Sequence, residues 1–383
     1  MSLLKISVDR GTLLLVSIVF VFPILSCENK RKYPGVYKQH PDLNWMASRD
    51  NFYLIKHGYQ ADRVSEELAH FAKRLQLMQL EWRVGSMNSI NSWEIFGRIT
   101  SVARDRKDRV FVLDNQYAEI RVFNENGAFL FTIGEKGEGP GSFMYPEWIA
   151  VDPWDTVYVA DRAQMKVEVF APDENAYIYR RTILLPRIAS GGICVDSSSV
   201  FISTNNMYND SLIYHLDKNG NILSKFGNIL YKSENPIVRS YITRNYMVCD
   251  LKNKIVFIAF RYAPIVKLYD YEGNLLWQIW ISNLNLSGFA EFETGDVGFP
   301  DKEQEINLIG IAQFDSHFIV QYFYVDNRLK NPVFKTFAYL INPMIKEYFY
   351  IDSLLVAKIF RVDQRGVLVR QYDEIPHVAY YSY

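Results

Sequence analysis

The chain has 383 residues, Lys+Arg 42 against Asp+Glu 43 for a formal net charge of -1, and aromatic residues at 15%. That balance lacks the basic stripe that a phosphate backbone demands, which excludes nucleic acid as a partner. The aromatic content suits strands, whose pleated surfaces favour aromatic and β-branched side chains, and at this length a barrel or propeller can be one domain.

Residues 1–27 read as an address. Lys5 and Arg10 form a positive n-region, diluted by Asp9, and Thr12 to Leu25 is an apolar run of 14 residues, which suits a secretory signal and is short for a membrane span of about 20 residues. The run ends in Ile24-Leu25-Ser26-Cys27, which resembles a bacterial lipobox. The resemblance implies a lipoprotein signal peptide, lipidation of Cys27, a membrane anchor and a place in the cell envelope, on the periplasmic side or at the cell surface.

Residues 28–60 form a polar tether that opens with Asn29-Lys30-Arg31-Lys32. An amphipathic helix is expected over 61–84, because Val64, Leu68, Phe71, Leu75, Met78 and Trp82 recur at spacings of 4, 3, 4, 3, 4 and so line one face. Such a stripe must be buried. Docking on the chain's own domain is the first expectation, a partner helix or a membrane surface the alternatives.

From there the chain repeats itself. Ser101–Asp114, Ile149–Asp161 and Gly192–Asn205 each give an apolar strand, an aspartate, a short polar turn and a second strand, and weaker copies follow at Met247–Phe260, Ile311–Phe323 and Ile359–Tyr372. The corner residues Asp105, Asp152, Asp196, Asp250, Asp315 and Asp363 stand 47, 44, 54, 65 and 48 apart. An aspartate suits a tight turn because its side chain accepts from backbone N–H groups just ahead of it, so these six are read as structural. Third and fourth strands follow, joined by turns such as Asn-Glu-Asn-Gly and Asp-Lys-Asn-Gly that supply the positive-φ glycine. Four strands per period is the arithmetic of a propeller blade.

The fold expected is therefore all-β, a six-bladed β-propeller over 92–383. The sixth copy ends at Tyr383 without a fourth strand, and Ser92–Gly97, SWEIFG, matches the fourth-strand endings; that N-terminal strand is expected to complete the last blade and remove the open edges. The glycine-rich stretch Gly134–Gly141 fits no phosphate-loop spacing and precedes a strand where such a loop opens a helix, so it reads as the crossing from blade one to blade two. The run Gly137-Glu138-Gly139-Pro140-Gly141-Ser142-Phe143 with Pro146 and IAVD…VYVAD…VEVF resembles an NHL-type repeat. With the lipobox, the chain is similar to bacterial six-bladed propeller lipoproteins, which implies the fold and leaves the ligand open.

Propeller chemistry sits at the channel mouth, reached from the residues just past the second strands. Asp114, Asp161, Arg162, Asn205, Arg261, Tyr262 and Gln371 are the ligand-binding candidates on that face. They are too mixed for a set of metal ligands, so no cofactor is expected, although Asp114 with Asp161 could hold Ca²⁺ or another divalent cation. The crossings Gly227–Met247 and Ser282–Asn307 border the same face, the first basic and tyrosine-rich, the second acidic. The leading reading is a membrane-anchored binding module for a protein or glycan outside the cytoplasm; the alternative is a divalent-cation-dependent hydrolase or lyase. Cys194 and Cys249 lie two residues and one residue before their corner aspartates, which points their side chains to opposite faces; two buried free thiols are expected.

Overall fold

The computed structural model describes residues 51–86, 89–174, 176–205, 211–227, 234–291, 296–298, 303–328, 333–372 and 376–383. The expected signal segment, Cys27 and the tether up to residue 50 lie outside the described residues.

Six antiparallel four-stranded blades follow in chain order. Blade one is Ile99–Arg104, Val110–Asp114, Glu119–Phe123 and Phe129–Ile133; blade two Pro146–Val151, Val157–Asp161, Lys166–Asp173 and Ala176–Leu184; blade three Ala189–Val195, Ser199–Thr204, Ile213–Asp217 and Ile222–Phe226. Blade four is Asn245–Asp250, Ile255–Phe260, Ile265–Asp270 and Leu275–Ser282; blade five Gln304–Phe314, His317–Asp326, Val333–Asn342 and Glu347–Leu354. Blade six has Ala357–Val362, Gly366–Tyr372 and Pro376–Ser382, completed by Gln79–Val84 from the N-terminal side. Each first strand touches the first strands of both neighbours in a closed cycle, so the ring is shut around a central channel. The second strands of blades one to four are buried from end to end, because both faces of each pack on neighbouring blades. This is why they read as near-continuous apolar runs.

Five of the six corner aspartates do what their position in the repeat implies. In Asp105, Asp152, Asp196, Asp250 and Asp363 one carboxylate oxygen accepts two backbone N–H groups of the turn, at 2.6 to 3.0 Å. Asp315 differs: Phe314 pairs directly with His317, which leaves a two-residue turn in which Asp315 itself takes φ 51°. The glycine-rich crossing is also a turn. Gly134 has φ 75°, and a Cβ there would sit 2.2 Å from Phe143 Cε2, so glycine lets the buried Phe143 ring close against the backbone.

Ring closure differs from the expected register. The closing strand is Gln79–Val84, paired antiparallel with Pro376–Ser382, and residues 92–94 form a short 3₁₀ turn instead. The reason is reach. An outer strand and the next blade's first strand are separated by three strand spacings, about 14 Å. A strand ending at Gly97 leaves Arg98 alone to span it, whereas about five residues are needed. Residues 92–97 instead fill the space between blades six and one, with Trp93 stacked on Phe129 at 5.2 Å and Phe96 buried among Val84, Leu368 and Tyr380.

The expected helix over 61–84 is correspondingly shorter. Helix α1 runs Glu66–Gln76, capped by Ser65, whose Oγ accepts from Leu68 N, with Glu66 and Glu67 in its first turn and Lys73 and Arg74 in its last. Each suits the dipole end where it sits. Leu68, Phe71, Ala72 and Leu75 pack into the core of blades five and six, on Ile319, Leu340, Ile351 and Val369 among others. Trp82 satisfies a helical spacing too, but the open edge of blade six wins: in the strand it stacks on Tyr380 at 6.0 Å and its Nε1 donates to Glu125 O at 2.7 Å. Further upstream Phe52–Lys56 adds a parallel strand to the outer edge of blade four. Residues 52–84 thus form a belt over blades four, five and six.

The cysteines correct the expectation of free thiols: Cys194 and Cys249 are joined by a disulfide with Cα atoms 6.1 Å apart. The corner aspartates are not equivalent in the two hairpins. Asp250 is the last paired residue of its strand, opposite Ile255, while in blade three that place belongs to Val195, opposite Val200. Cys194 and Cys249 therefore occupy the same register position and share a face. The bond closes a loop of 55 residues, so reduction, or Cys194→Ala, is expected to lower stability by about 2 to 4 kcal/mol; equal urea midpoints with and without a reductant would contradict the bridge.

Candidate functional site

In blades one, two and four the repeat brings two positions together at one end of the channel: the residue before the first strand and the residue after the second. Asn115 N bonds Arg98 O at 2.9 Å, Arg162 N bonds Tyr145 O at 3.0 Å, and Arg261 N bonds Arg244 O at 2.8 Å. Three blades thereby deliver arginines to one rim. Blade six adds Lys358 and Arg370, which are register partners.

These residues border a cavity of about 190 Å³ whose lining holds six cations, Arg98, Arg162, Arg244, Arg261, Lys358 and Arg370, against one carboxylate, Glu147. Lys358 is fixed with care. Gln321, itself buried, donates through Nε2 to Ala357 O at 2.6 Å and accepts Ile359 N at 3.0 Å, bracketing the lysine from blade five. Gly310 leaves the space that the Lys358 stem fills, since a Cβ there would stand 3.2 Å from Cε. The ammonium lies 4.9 Å from the Tyr246 ring and 5.6 Å from Trp148. Burial, with Arg370 beside it, pulls the Lys358 ammonium down to about 7, against the opposing pull of Glu147. Burial likewise raises the Glu147 carboxyl above its ordinary range, opposed first by Arg162 and Arg98.

Buried polar atoms ordinarily have partners, yet several here have none among the described residues. Thr100 Oγ1, Trp148 Nε1 and Arg261 Nε make no hydrogen bond, nor does Glu147 Oε2, although Arg162 Nη1 stands 3.6 Å from it. All four residues line the one cavity. Asn245 braces its floor between blades three and four, accepting Ser203 Oγ at 2.5 Å and donating to Thr243 O at 2.9 Å.

The sequence candidates divide. Arg162, Asn205 and Arg261 line the cavity. Asp114 and Asp161 are buried beside it, and each carboxylate is taken up by four backbone N–H groups, of Gly97, Arg98, Gln116 and Tyr117 in one case and of Met144, Tyr145, Ala163 and Gln164 in the other. They hold the crossings in place. Tyr262 packs with Tyr241 and Phe289 at 5.9 and 5.5 Å, joining the short helix Pro236–Ile242 to the neighbouring crossing. Gln371 bonds Tyr381 Oη at 2.6 Å and His377 Nε2 at 2.5 Å. Lys358, Arg370, Glu147, Trp148, Arg98 and Arg244 complete the site beyond the sequence candidates. For all but Arg370, which lies within the second strand of blade six, the signal is the residue preceding each first strand and the first positions within it, which an alignment on the second strands alone leaves out.

Architecture and family agree. Residues 94–324 match the model of the family described as 6-bladed beta-propeller (DUF5128), and the chain belongs to that family. Among solved structures it is similar to a protein of Bacteroides fragilis NCTC 9343 described as exported, at 13% identity, TM-score 0.54, covering 86% of this chain and 98% of that one. It is also similar to a member of the duf4221 family from Bacteroides vulgatus, at 10% identity, TM-score 0.51, covering 81% and 99%. At such identity the likeness shows the fold alone. No curated protein matches this chain.

Proposed function

We propose that the protein is an extracytoplasmic recognition module, a lipoprotein of the NHL-like propeller type anchored through Cys27, which receives a protein or glycan ligand at the channel mouth. The observation that carries this reading is the cavity itself, with six cations, one carboxylate and four buried polar atoms that lack hydrogen-bond partners among the described residues. Buried polar groups held in place by a rigid ring and left to be satisfied from outside are what a binding site needs. The Cys194–Cys249 bridge supports an oxidising compartment, in keeping with the signal-like residues 1–27 and with the description of the Bacteroides fragilis protein of similar fold.

The alternative, a hydrolase or lyase using a divalent cation, finds less support in the donor set. A hard cation is held by several oxygen donors, and this mouth presents cations with a single carboxylate. Thermal unfolding of the mature protein separates the two readings, because a specific ligand stabilises by RT ln(1 + [L]/Kd). The expected result is an unchanged midpoint with Ca²⁺, Zn²⁺ or Mn²⁺; a saturable rise with any one of them would favour the enzyme. For the anchor, Cys27→Ala is expected to abolish labelling by a fatty-acid analogue, and labelling that survives the substitution would refute lipidation at that residue.

A further inference from the structure

The cavity's inventory is more specific than its charge. Six cations around one small space favour an anion by Coulomb attraction in a site of lowered dielectric. An anion without a hydrogen-bond donor, however, leaves Glu147 Oε2 with nothing to accept from it and sets like charges together. Among the described residues, Glu147 Oε2, with only Arg162 Nη1 at 3.6 Å, is left open to a donor from a ligand, and Trp148 Nε1 and Arg261 Nε are left open to acceptors. Thr100 Oγ1 serves as either. The ligand that meets all of these carries an oxyanion and hydroxyl groups on one frame. Size narrows it further: about 190 Å³ is below the roughly 300–1,000 Å³ of drug-sized pockets, so one compact unit enters. The rings of Trp148 and Tyr246, already within cation–π range of Lys358, give that unit apolar faces to lie against.

Resting on the recognition reading above, we propose that the channel mouth binds an acidic saccharide unit, with its oxyanion among Lys358, Arg261 and Arg370 and a ring hydroxyl donating to Glu147. A carboxylate, phosphate or sulfate on the sugar supplies the same chemistry, and the experiment distinguishes them. A peptide carboxylate is the poorer match: its N–H groups can donate to Glu147, but it lacks the cluster of hydroxyl groups, each both donor and acceptor, that can serve Glu147, Thr100 and Trp148 together.

The test is calorimetric titration of the whole mature protein with glucuronate, glucose 6-phosphate and glucose 6-sulfate, beside glucose, acetate and inorganic phosphate. At least one acidic sugar is expected to bind about tenfold or more tightly than glucose and than acetate and inorganic phosphate, a difference of about 1.4 kcal/mol or more. Lys358→Met and Arg261→Gln are expected to reduce that affinity at least tenfold. Glu147→Gln, which keeps the shape, is expected to narrow the gap between the acidic sugar and the bare anion. Unfolding midpoints confirm that the variants are folded, and Arg187→Gln, away from the cavity lining, serves as the control. If bare anions bind as tightly as acidic sugars, the saccharide inference fails while recognition at the mouth stands. If an acidic sugar binds but the three cavity variants leave its affinity unchanged, the assignment of the site fails. If none of the six probes binds, the inference is overturned, and the recognition reading falls with it only when the cavity variants also leave binding of longer glycans and peptides untouched.

Discussion

A chain beginning at Ser86 is expected not to hold the folded ring at room temperature, although it keeps all of Trp93 to Gly97. It loses Leu68, Phe71 and Leu75 of helix α1 and Val84 of the closing strand, all buried in the belt's contacts with blades five, six and one. At about 1.5 to 3 kcal/mol for each such side chain, the loss is comparable with a domain's whole net stability of roughly 5 to 15 kcal/mol. It also bares the backbone edge of Pro376–Ser382, an invitation to pair with another chain. Urea unfolding of this chain against one beginning at Asn51 measures the effect. Within the intact chain, Trp82→Ala is the finer probe, since it removes both the stack on Tyr380 and the bond to Glu125 O that ties blade six to blade one. Equal midpoints for the chains beginning at Ser86 and Asn51 would mean that Gln79–Val84 does not close the ring.

The second large effect concerns a buried ion pair in blade two. Lys166 Nζ stands 2.5 Å from Glu168 Oε1, with side chains 7% and 0% exposed, and Thr182 Oγ1 donates to the other carboxylate oxygen at 2.8 Å. Lys166 also reaches Gly139 O at 3.2 Å, so its ammonium ties the glycine-rich crossing to blade two. Lys166→Met leaves a buried carboxylate uncompensated and is expected to cost about 3 to 5 kcal/mol, whereas Lys166→Met with Glu168→Leu, which removes both charges, is expected to recover most of it. Chemical denaturation of the two variants decides the matter: a double variant no more stable than the single one would show that the loss came from packing of the crossing rather than from the stranded charge.

How much of this the chain announces follows from the range of the interactions involved. Blade count and strand order were legible because the corner aspartates and hairpin glycines act within a few residues of themselves, and Asp105, Asp152, Asp196, Asp250 and Asp363 do bond the turns they begin. Closure was legible as a need but not in its register, because Trp82 fits both a helical stripe and an edge strand, and only the distance from outer to inner strand chooses between them. The bridge between Cys194 and Cys249 was hidden by counting from the aspartates, whose place in the hairpin shifts by one residue between blades three and four. In the site, Arg162, Asn205 and Arg261 follow from their place after the second strands. Lys358 was invisible for another reason: a lysine one residue into a strand reads as solvent-facing, and only the Gln321 bracket and the gap at Gly310, both from blade five, turn it into the channel.

The most direct measurement on the channel mouth is the indole N–H resonance of Trp148, whose donor has no partner among the described residues. In ¹H–¹⁵N spectra of the mature protein, with the peak assigned by its loss in Trp148→Phe, saturating glucuronate, glucose 6-phosphate or glucose 6-sulfate is expected to move this indole signal while those of Trp82 and Trp93, at the closure of the ring, stay in place. A Trp148 signal unmoved by a ligand that calorimetry shows to bind would place recognition elsewhere on the propeller and contradict the assignment of the mouth.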